Sequence, residues 1–343
     1  MRILVVKPSS LGDVIHTFPA VDLIRRSLPE APRITWVVND KLAAITALCP
    51  GIDRVVKFPR HQLASARALR NFVKDLQAEP YDLAIDFQGL LRSGIISRLS
   101  KAPRRAGFKH AREGAWLFYT EKYSVPADIR HAVAKNLSLV RQVLPSDAPE
   151  RRPPLTIPSA QRAEASALLT KLHGTGPILA VGFSSRWPSK NWPLAFFAAV
   201  LDECARRQPG LRCWLLGAPN EQADGEKLRA MTIICQPTNL AGSTAVLTLA
   251  ALLEQSQALL TNDSGPMHIA AALGLPCVAL FGATDPTLTG PYGEEGLHQI
   301  IHSQCPNSPC FQRVCPTSPG ECCKGWDPAA VADTIITKLQ RHT

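Results

Sequence analysis

Long apolar runs are missing from this 343-residue chain. The longest weakly polar stretch, Ile269 to Ala283, is interrupted by Gly274 and Pro276, so no segment reads as a bilayer-spanning helix. No cleavable leader is evident either. Met1-Arg2-Ile3-Leu4-Val5-Val6-Lys7 has only four apolar residues before a lysine, which reads as a first strand and points to the cytoplasm. Ten cysteines are present, yet none stands in a C-x2-C pair, so the ordinary zinc-ribbon spacing is excluded. Aromatics are scarce, at 6%. That matters for the basic run Arg92, Arg98, Lys101, Arg104, Arg105, Lys109 and Arg112, which holds no acidic residue and only Phe108 as an interleaved ring. Without stacking residues or a recognisable motif the run does not read as a nucleic-acid surface. It reads as a solvated face, or as a landing site for anionic lipid or an acidic substrate, in keeping with the formal charge of +10.

What is present is a globular composition, 45% hydrophobic and 19% charged, in a chain long enough for two cores. Short β-branched runs alternate with segments of helical period in both halves, the pattern of parallel sheets with crossover helices. Expected strands are Ile3–Val6, Ile34–Val38, Val55–Phe58 and Leu83–Phe87, with helices near 14–27, 62–78 and 131–144. The second half restarts with Ile178–Phe183, Cys213–Leu216, Ile233–Cys235, Leu259–Thr261 and Cys277–Phe281, and helices near 193–207, 219–231, 244–256 and 266–273. Pro145, Pro149, Pro153, Pro154 and Pro158 mark the linker. The expected fold is therefore α/β. It comprises two Rossmann-like domains, residues 1–155 and 170–326, and a terminal helix within 327–343, capped by Asp327 with Pro328 next. In such sheets ligands bind at the carboxyl ends of the strands, so the active site is expected in a cleft where the two domains face each other.

The segments that follow those strands carry the polar chemistry. After Ala258-Leu259-Leu260, the stretch Asn262-Asp263-Ser264-Gly265-Pro266-Met267-His268 turns straight into a helix. Proline in the first turn loses no hydrogen bond, and the Ser264-Gly265 turn aims N–H groups and a positive dipole end at an anion such as phosphate, with His268 in reach. The same segment also reads as a plain strand–turn–helix corner capped by Asp263. The first strand empties into Lys7-Pro8-Ser9-Ser10-Leu11-Gly12-Asp13, which fits neither G-x-G-x-x-G nor the Walker pattern. Asp13 is a candidate general base there, or a first-turn residue favoured by the helix dipole. Asp86 closes an apolar strand, a costly place for a carboxylate unless it is paired or used. Ser184, Ser185 and Lys190 follow the second domain's first strand and suit phosphate binding. Glu221 follows the next strand, where it could take a sugar hydroxyl or compensate a helix dipole.

Four elements in order, Ser9-Ser10-Leu11-Gly12-Asp13-Val14, Asp86-Phe87-Gln88-Gly89-Leu90, Lys190-Asn191-Trp192-Pro193 and Asp263-Ser264-Gly265-Pro266-Met267-His268, resemble the bacterial ADP-heptose:lipopolysaccharide heptosyltransferases of glycosyltransferase family 9. Phe281–Pro286 and Gly290–Gly293 extend the likeness over nearly the whole chain, and the first two motifs resemble the first heptosyltransferase more than the second. The resemblance implies the GT-B fold, acceptor on the N-terminal domain and nucleotide sugar on the C-terminal one. It implies inverting, metal-independent transfer from ADP-L-glycero-D-manno-heptose to a Kdo residue of the lipopolysaccharide inner core, with Asp13 as base and no cofactor required. Donor binding would fall to Ser184, Ser185, Lys190, Glu221, Asp263, Ser264, Gly265 and His268. Acceptor binding would fall to Ser10, Gly12, Gln88, Arg92 and Arg105. The basic run would then meet the acidic Kdo-lipid A acceptor and the anionic cytoplasmic face of the inner membrane. The last helix is expected to cross back onto the N-terminal domain.

Five cysteines crowd into Cys305, Cys310, Cys315, Cys322 and Cys323, while Cys49, Cys204, Cys213, Cys235 and Cys277 sit in apolar segments as small core residues. A cytoplasmic location argues against stable disulfides. Cys305, Cys310, Cys315 and Cys322 read as loop thiols or as a structural zinc or iron site, and similar segments occur in relatives with other acceptors. Two further readings therefore stand beside the first: a family 9 transferase acting on a heptosylated core sugar or a protein serine, and a non-catalytic nucleotide-sugar-binding protein on the same fold.

Overall fold

Arg2–Val6, the first strand (β1), is buried from Ile3 onward, the pattern of a strand covered on both faces. The same all-buried run recurs through both halves. The computed structural model describes residues 1–170, 175–315, 317, 322 and 325–340. The chain divides into two units, Met1–Thr156 and Ile157–Thr343.

In the first unit β1 is followed by α1 (Leu11–Ile15), α2 (Phe18–Arg26), β2 (Arg33–Asn39), β3 (Arg54–Phe58) and α3 (Ala66–Leu76). Then come β4 (Leu83–Asp86), α4 (Leu91–Leu99), β5 (Arg104–Phe108), β6 (Glu121–Tyr123) and α5 (Ala132–Val143). The sheet is parallel, in the order β3-β2-β1-β4-β5-β6. The second unit runs α6 (Ser159–Leu169), β7 (Ile178–Gly182), α7 (Leu194–Arg207), β8 (Arg212–Leu216), α8 (Gln222–Met231) and β9 (Thr238–Asn239). It continues with α9 (Val246–Glu254), β10 (Ala258–Asn262), α10 (Gly265–Leu273), β11 (Cys277–Phe281), α11 (Pro286–Thr289), β12 (Gln299–His302) and α12 (Pro328–Gln340). Its sheet, β12-β11-β10-β7-β8-β9, repeats the first unit's order. Each is the doubly wound Rossmann arrangement, in which winding reverses between the first and fourth strands and leaves a crevice at their carboxyl ends. That rule singles out the loops after β1 and β4 in one unit, and after β7 and β10 in the other.

Several expected elements differ in the structure. The helix expected over 14–27 is two, because Thr17 restarts the chain ahead of Pro19. The strand expected at Ile233–Cys235 is a loop. Asp202 accepts the N–H groups of Ile233, Ile234 and Cys235 at 2.8–3.1 Å, which occupies the donors a strand would need, and pairing waits until Thr238. The last helix, α12, packs against α7 and lays Val331, Ala332, Ile335 and Leu339 into the second unit's core. Among the described residues no helix is long and apolar enough to cross a membrane.

Candidate functional site

In the first unit the β1 and β4 loops meet around a cavity of about 470 Å3. Asp13 lines it from α1, and Lys7, Arg112 and Lys135 add cations to the lining. Asp13 Oδ2 accepts both the backbone N–H and the hydroxyl of Ser10, each at 2.8 Å, which fixes the carboxylate plane. Its Oδ1 lies 3.7 Å from Lys7 Nζ, and the Asp13 side chain remains 37% exposed, accessible to a ligand. Lys7 emerges at the end of β1, is buried, and donates to Phe87 O at 3.0 Å. Burial holds its pKa below the ordinary lysine value, while Asp13 and Asp86 act in the opposite sense.

Asp86 organises the β4 loop. Its fully buried carboxylate accepts from Tyr119 Oη at 2.6 Å, Gln88 N at 2.8 Å and Gly89 N at 3.1 Å. Burial raises its pKa, and those donors offset part of the rise. Gly89 turns at φ +65°, a conformation suited to glycine, and its carbonyl accepts Arg112 N–H at 2.9 Å, which brings Arg112 to the cavity. Gln88 Oε1 accepts Ser9 N–H at 3.2 Å and ties the two loops together. The costly carboxylate seen in the sequence is thus a structural corner.

Of the residues expected on the acceptor side, Gln88 lines the cavity, Ser10 stands at the N-cap of α1 and bonds Asp13, and Gly12 precedes Asp13 within α1. Arg92 and Arg105 are not among the lining residues. Arg92 lies over the Phe58 ring at 5.6 Å, and Arg105 spends its guanidinium on Phe118 O and Ala102 O. Arg112, a member of the basic run, lines the cavity, as do Lys7, His110 and Lys135, which were not among the expected site residues. A lysine ending an apolar strand was a readable signal for Lys7; nothing local marks Lys135 on α5.

In the second unit the β7 and β10 loops are stitched in the same way. Asn262 Nδ2 donates to Phe183 O at 2.8 Å, and Ser185 Oγ donates to Asp263 O at 3.0 Å. Gly182 lies so near β10 that a Cβ there would meet Thr261 Oγ1 at 2.6 Å. The buried Asp263 carboxylate accepts from Thr284 Oγ1 at 2.7 Å and pairs with Lys190 Nζ, whose ammonium also faces the Trp187 ring at 4.8 Å. Ser264 caps α10, which opens with Gly265 and Pro266, and the buried His268 follows within the first turns. Ser185, Lys190, Asp263, Ser264, Gly265 and His268 therefore gather about one helix N-terminus, with Ser184 in the same loop. Glu221 stands at the next strand's end, where its Oε2 accepts Ala218 N–H at 2.6 Å.

The first, described part of the cysteine-rich segment is tied to the residues that follow β11. Ser308 Oγ donates to Gly282 O at 2.6 Å and Phe311 N to Ala283 O at 2.7 Å. Burial raises the Cys322 pKa, with Cys305, Cys315 and Cys310 acting in the same sense and Ser303 against them. Among the described residues no group of three or more His, Cys, Asp or Glu side chains is arranged to hold a metal ion, and Cys323 lies outside those residues. The five scattered cysteines are all buried.

Paired Rossmann units of matching strand order, each with polar loops at its switch point, define an α/β protein of the GT-B class of sugar transferases. The profile of glycosyltransferase family 9 (heptosyltransferase) matches residues 69–320. Lipopolysaccharide heptosyltransferase 1 of Pseudomonas aeruginosa is 34% identical over 336 residues, covering 94% of this chain and 89% of that protein. The enzyme of the same name from Escherichia coli K12 is 30% identical, covering 87% and 92%. Among solved structures, E. coli heptosyltransferase WaaC with ADP superposes with a TM-score of 0.78 at 27% identity, covering 98% of this chain and all of that one. A family 9 glycosyl transferase from Veillonella parvula shares the fold at a TM-score of 0.85, covering 99% and 97%. The chain belongs to glycosyltransferase family 9, the heptosyltransferases.

Proposed function

We propose that this glycosyltransferase moves L-glycero-D-manno-heptose from its ADP conjugate to a Kdo residue of the lipopolysaccharide inner core, with inversion at the anomeric carbon. The observation that carries the reading is the first-unit cavity, where one carboxylate, Asp13, stands among Lys7, Arg112 and Lys135. An acidic sugar acceptor suits those cations, and a general base must lie within reach of the hydroxyl it activates. Asp13 takes the proton of the attacking Kdo hydroxyl as its oxygen bonds to the anomeric carbon. The bond from that carbon to the β-phosphate oxygen breaks, and ADP leaves. Lys190 and the N–H groups at the start of α10 meet the growing charge on the diphosphate, aided by Ser184, Ser185, Ser264 and His268. Asp263 holds Lys190 in place, and Glu221 takes hydroxyls of the donor. No metal is required in this scheme. The acceptor is lipid-anchored, so the reaction belongs at the anionic cytoplasmic face of the inner membrane.

The test is the mass of Kdo-lipid A after incubation with ADP-heptose. The wild-type chain should add one heptose, and Asp13→Ala should lower turnover by about 10²–10⁴-fold with donor affinity retained. Donor binding without product from wild-type protein would reject Kdo and direct the search to heptosylated core sugars or protein serines.

A further inference from the structure

The first unit leaves an unusual set of apolar side chains in solvent. Leu91 and Ile95 on α4 and Trp116 and Leu117 in the turn between β5 and β6 are 42%, 40%, 40% and 66% exposed. They form one patch. Gly94 brings α4 so close to residues 115–118 that a Cβ would meet Ala115 O and the Phe118 ring at 2.9 Å. Leu91 N–H donates to Glu113 Oε2 at 3.2 Å, and Leu117 packs beside Gly114. Leu91, Ile95 and Arg98 succeed one another on a single helix face. Lys122 Nζ stands 5.2 Å from the centre of the Trp116 ring.

Charge around the patch is predominantly positive, with Glu113 at Leu91 the exposed exception. Residues 91–122 hold eight Lys or Arg and two Glu, a net +6 of the chain's +10. One of those acids, Glu121, is paired with Arg104. Arg98, Lys101, Lys109, Arg112 and Lys122 are exposed. Leucines and an amphipathic tryptophan amid cations form the composition that lies at a lipid interface, where the rings and aliphatic chains enter the headgroup region and the cations meet acidic lipids. A second copy of the chain would bring the same positive field to the patch and be repelled.

We infer that Leu91, Ile95, Trp116 and Leu117, ringed by Arg98 and Lys122, are a docking surface for an anionic lipid bilayer. The inference deepens the glycolipid reading, since the patch adjoins Gly89 and Arg112 at the Asp13 cavity, but its test needs neither sugar substrate. Full-length protein is sedimented with vesicles of phosphatidylcholine alone or of equimolar phosphatidylcholine and phosphatidylglycerol. Binding should require phosphatidylglycerol. It should fall about tenfold or more in Leu91→Ser/Leu117→Ser and in Arg98→Glu/Lys122→Glu, and persist in Lys227→Glu/Arg229→Glu on α8. Unchanged melting would show that the substituted proteins remain folded. The proposal is overturned by binding that ignores lipid charge, by patch variants that bind like wild type, or by an equal loss in the α8 variant. It is also overturned if the wild type dimerises and the serine substitutions only separate the copies. Vesicle binding without heptose transfer would reject the acceptor reading and keep the surface; transfer without vesicle binding would do the reverse.

Discussion

Lys7 Nζ and Asp13 Oδ1 lie 3.7 Å apart in the lining of the first-unit cavity, and their burial differs, with side-chain exposures of 9% and 37%. The buried ammonium pays a desolvation cost, which is why its pKa is lowered, while its charge favours an ionised neighbour. Replacing Lys7 by Met therefore separates folding from catalysis. Because the lowered pKa means that the unfolded chain holds this proton more tightly, wild-type stability rises with pH on the approach to the ordinary lysine value of 10.5. Lys7→Met should remove that rise, with melting at neutral pH unchanged or higher. Turnover should behave otherwise: without the cation, the acid limb of kcat/KM against pH should move up by about one pH unit, the low end for a charge at this distance. A profile that falls uniformly without moving would leave Lys7 a packing residue.

The loop at Ile233–Cys235 shows at the scale of an element why a strand pattern misleads. Two β-branched residues and a buried cysteine have strand composition, but Asp202 reaches across from α7 and takes their N–H groups. No local pattern announces a partner some thirty residues away. Removing it in Asp202→Ala should cost about 1–3 kcal/mol, the range for donors left unmatched, with the half-exposed setting favouring the lower end. Denaturant unfolding gives the magnitude, and faster amide exchange at Ile233, Ile234 and Cys235 would localise it; protection equal to wild type would mean that the loop is held by other contacts. The strands legible in the sequence, β1, β2, β3, β4, β7, β8, β10 and β11, each carry an apolar or β-branched run, and β3 shows it even at a sheet edge. β5 begins with two arginines and β9 has two residues at a sheet edge, so neither carries that signal. The candidate site divides in the same way. Asp13, Ser185, Lys190 and Asp263 sit in the segments that follow the legible strands β1, β7 and β10. Lys135 and Arg112 reach the cavity through helix packing and a backbone bond to Gly89, which only the fold supplies.

Across the whole molecule, one strand order occurs twice and each copy has its own polar corner, so the two chemical tasks are separable by substitution. In the proposed reaction the donor corner is made wholly of second-unit residues, and the proposed base, Asp13, belongs to the first unit. ADP, the leaving group in the proposed reaction, should stabilise the protein by mass action, about 2.7 kcal/mol at a hundredfold excess over its Kd. Lys190→Ala needs care, because it leaves the buried Asp263 carboxylate without its cation and should itself lower stability by a few kcal/mol. The informative quantity is thus the increment ADP adds, not the melting temperature alone. That increment should be nearly lost in Lys190→Ala and preserved in Asp13→Ala, measured by denaturation with and without nucleotide. If Asp13→Ala lost it instead, ADP would be engaging the first-unit cavity, and the assignment of donor and acceptor to the two corners would have to be exchanged.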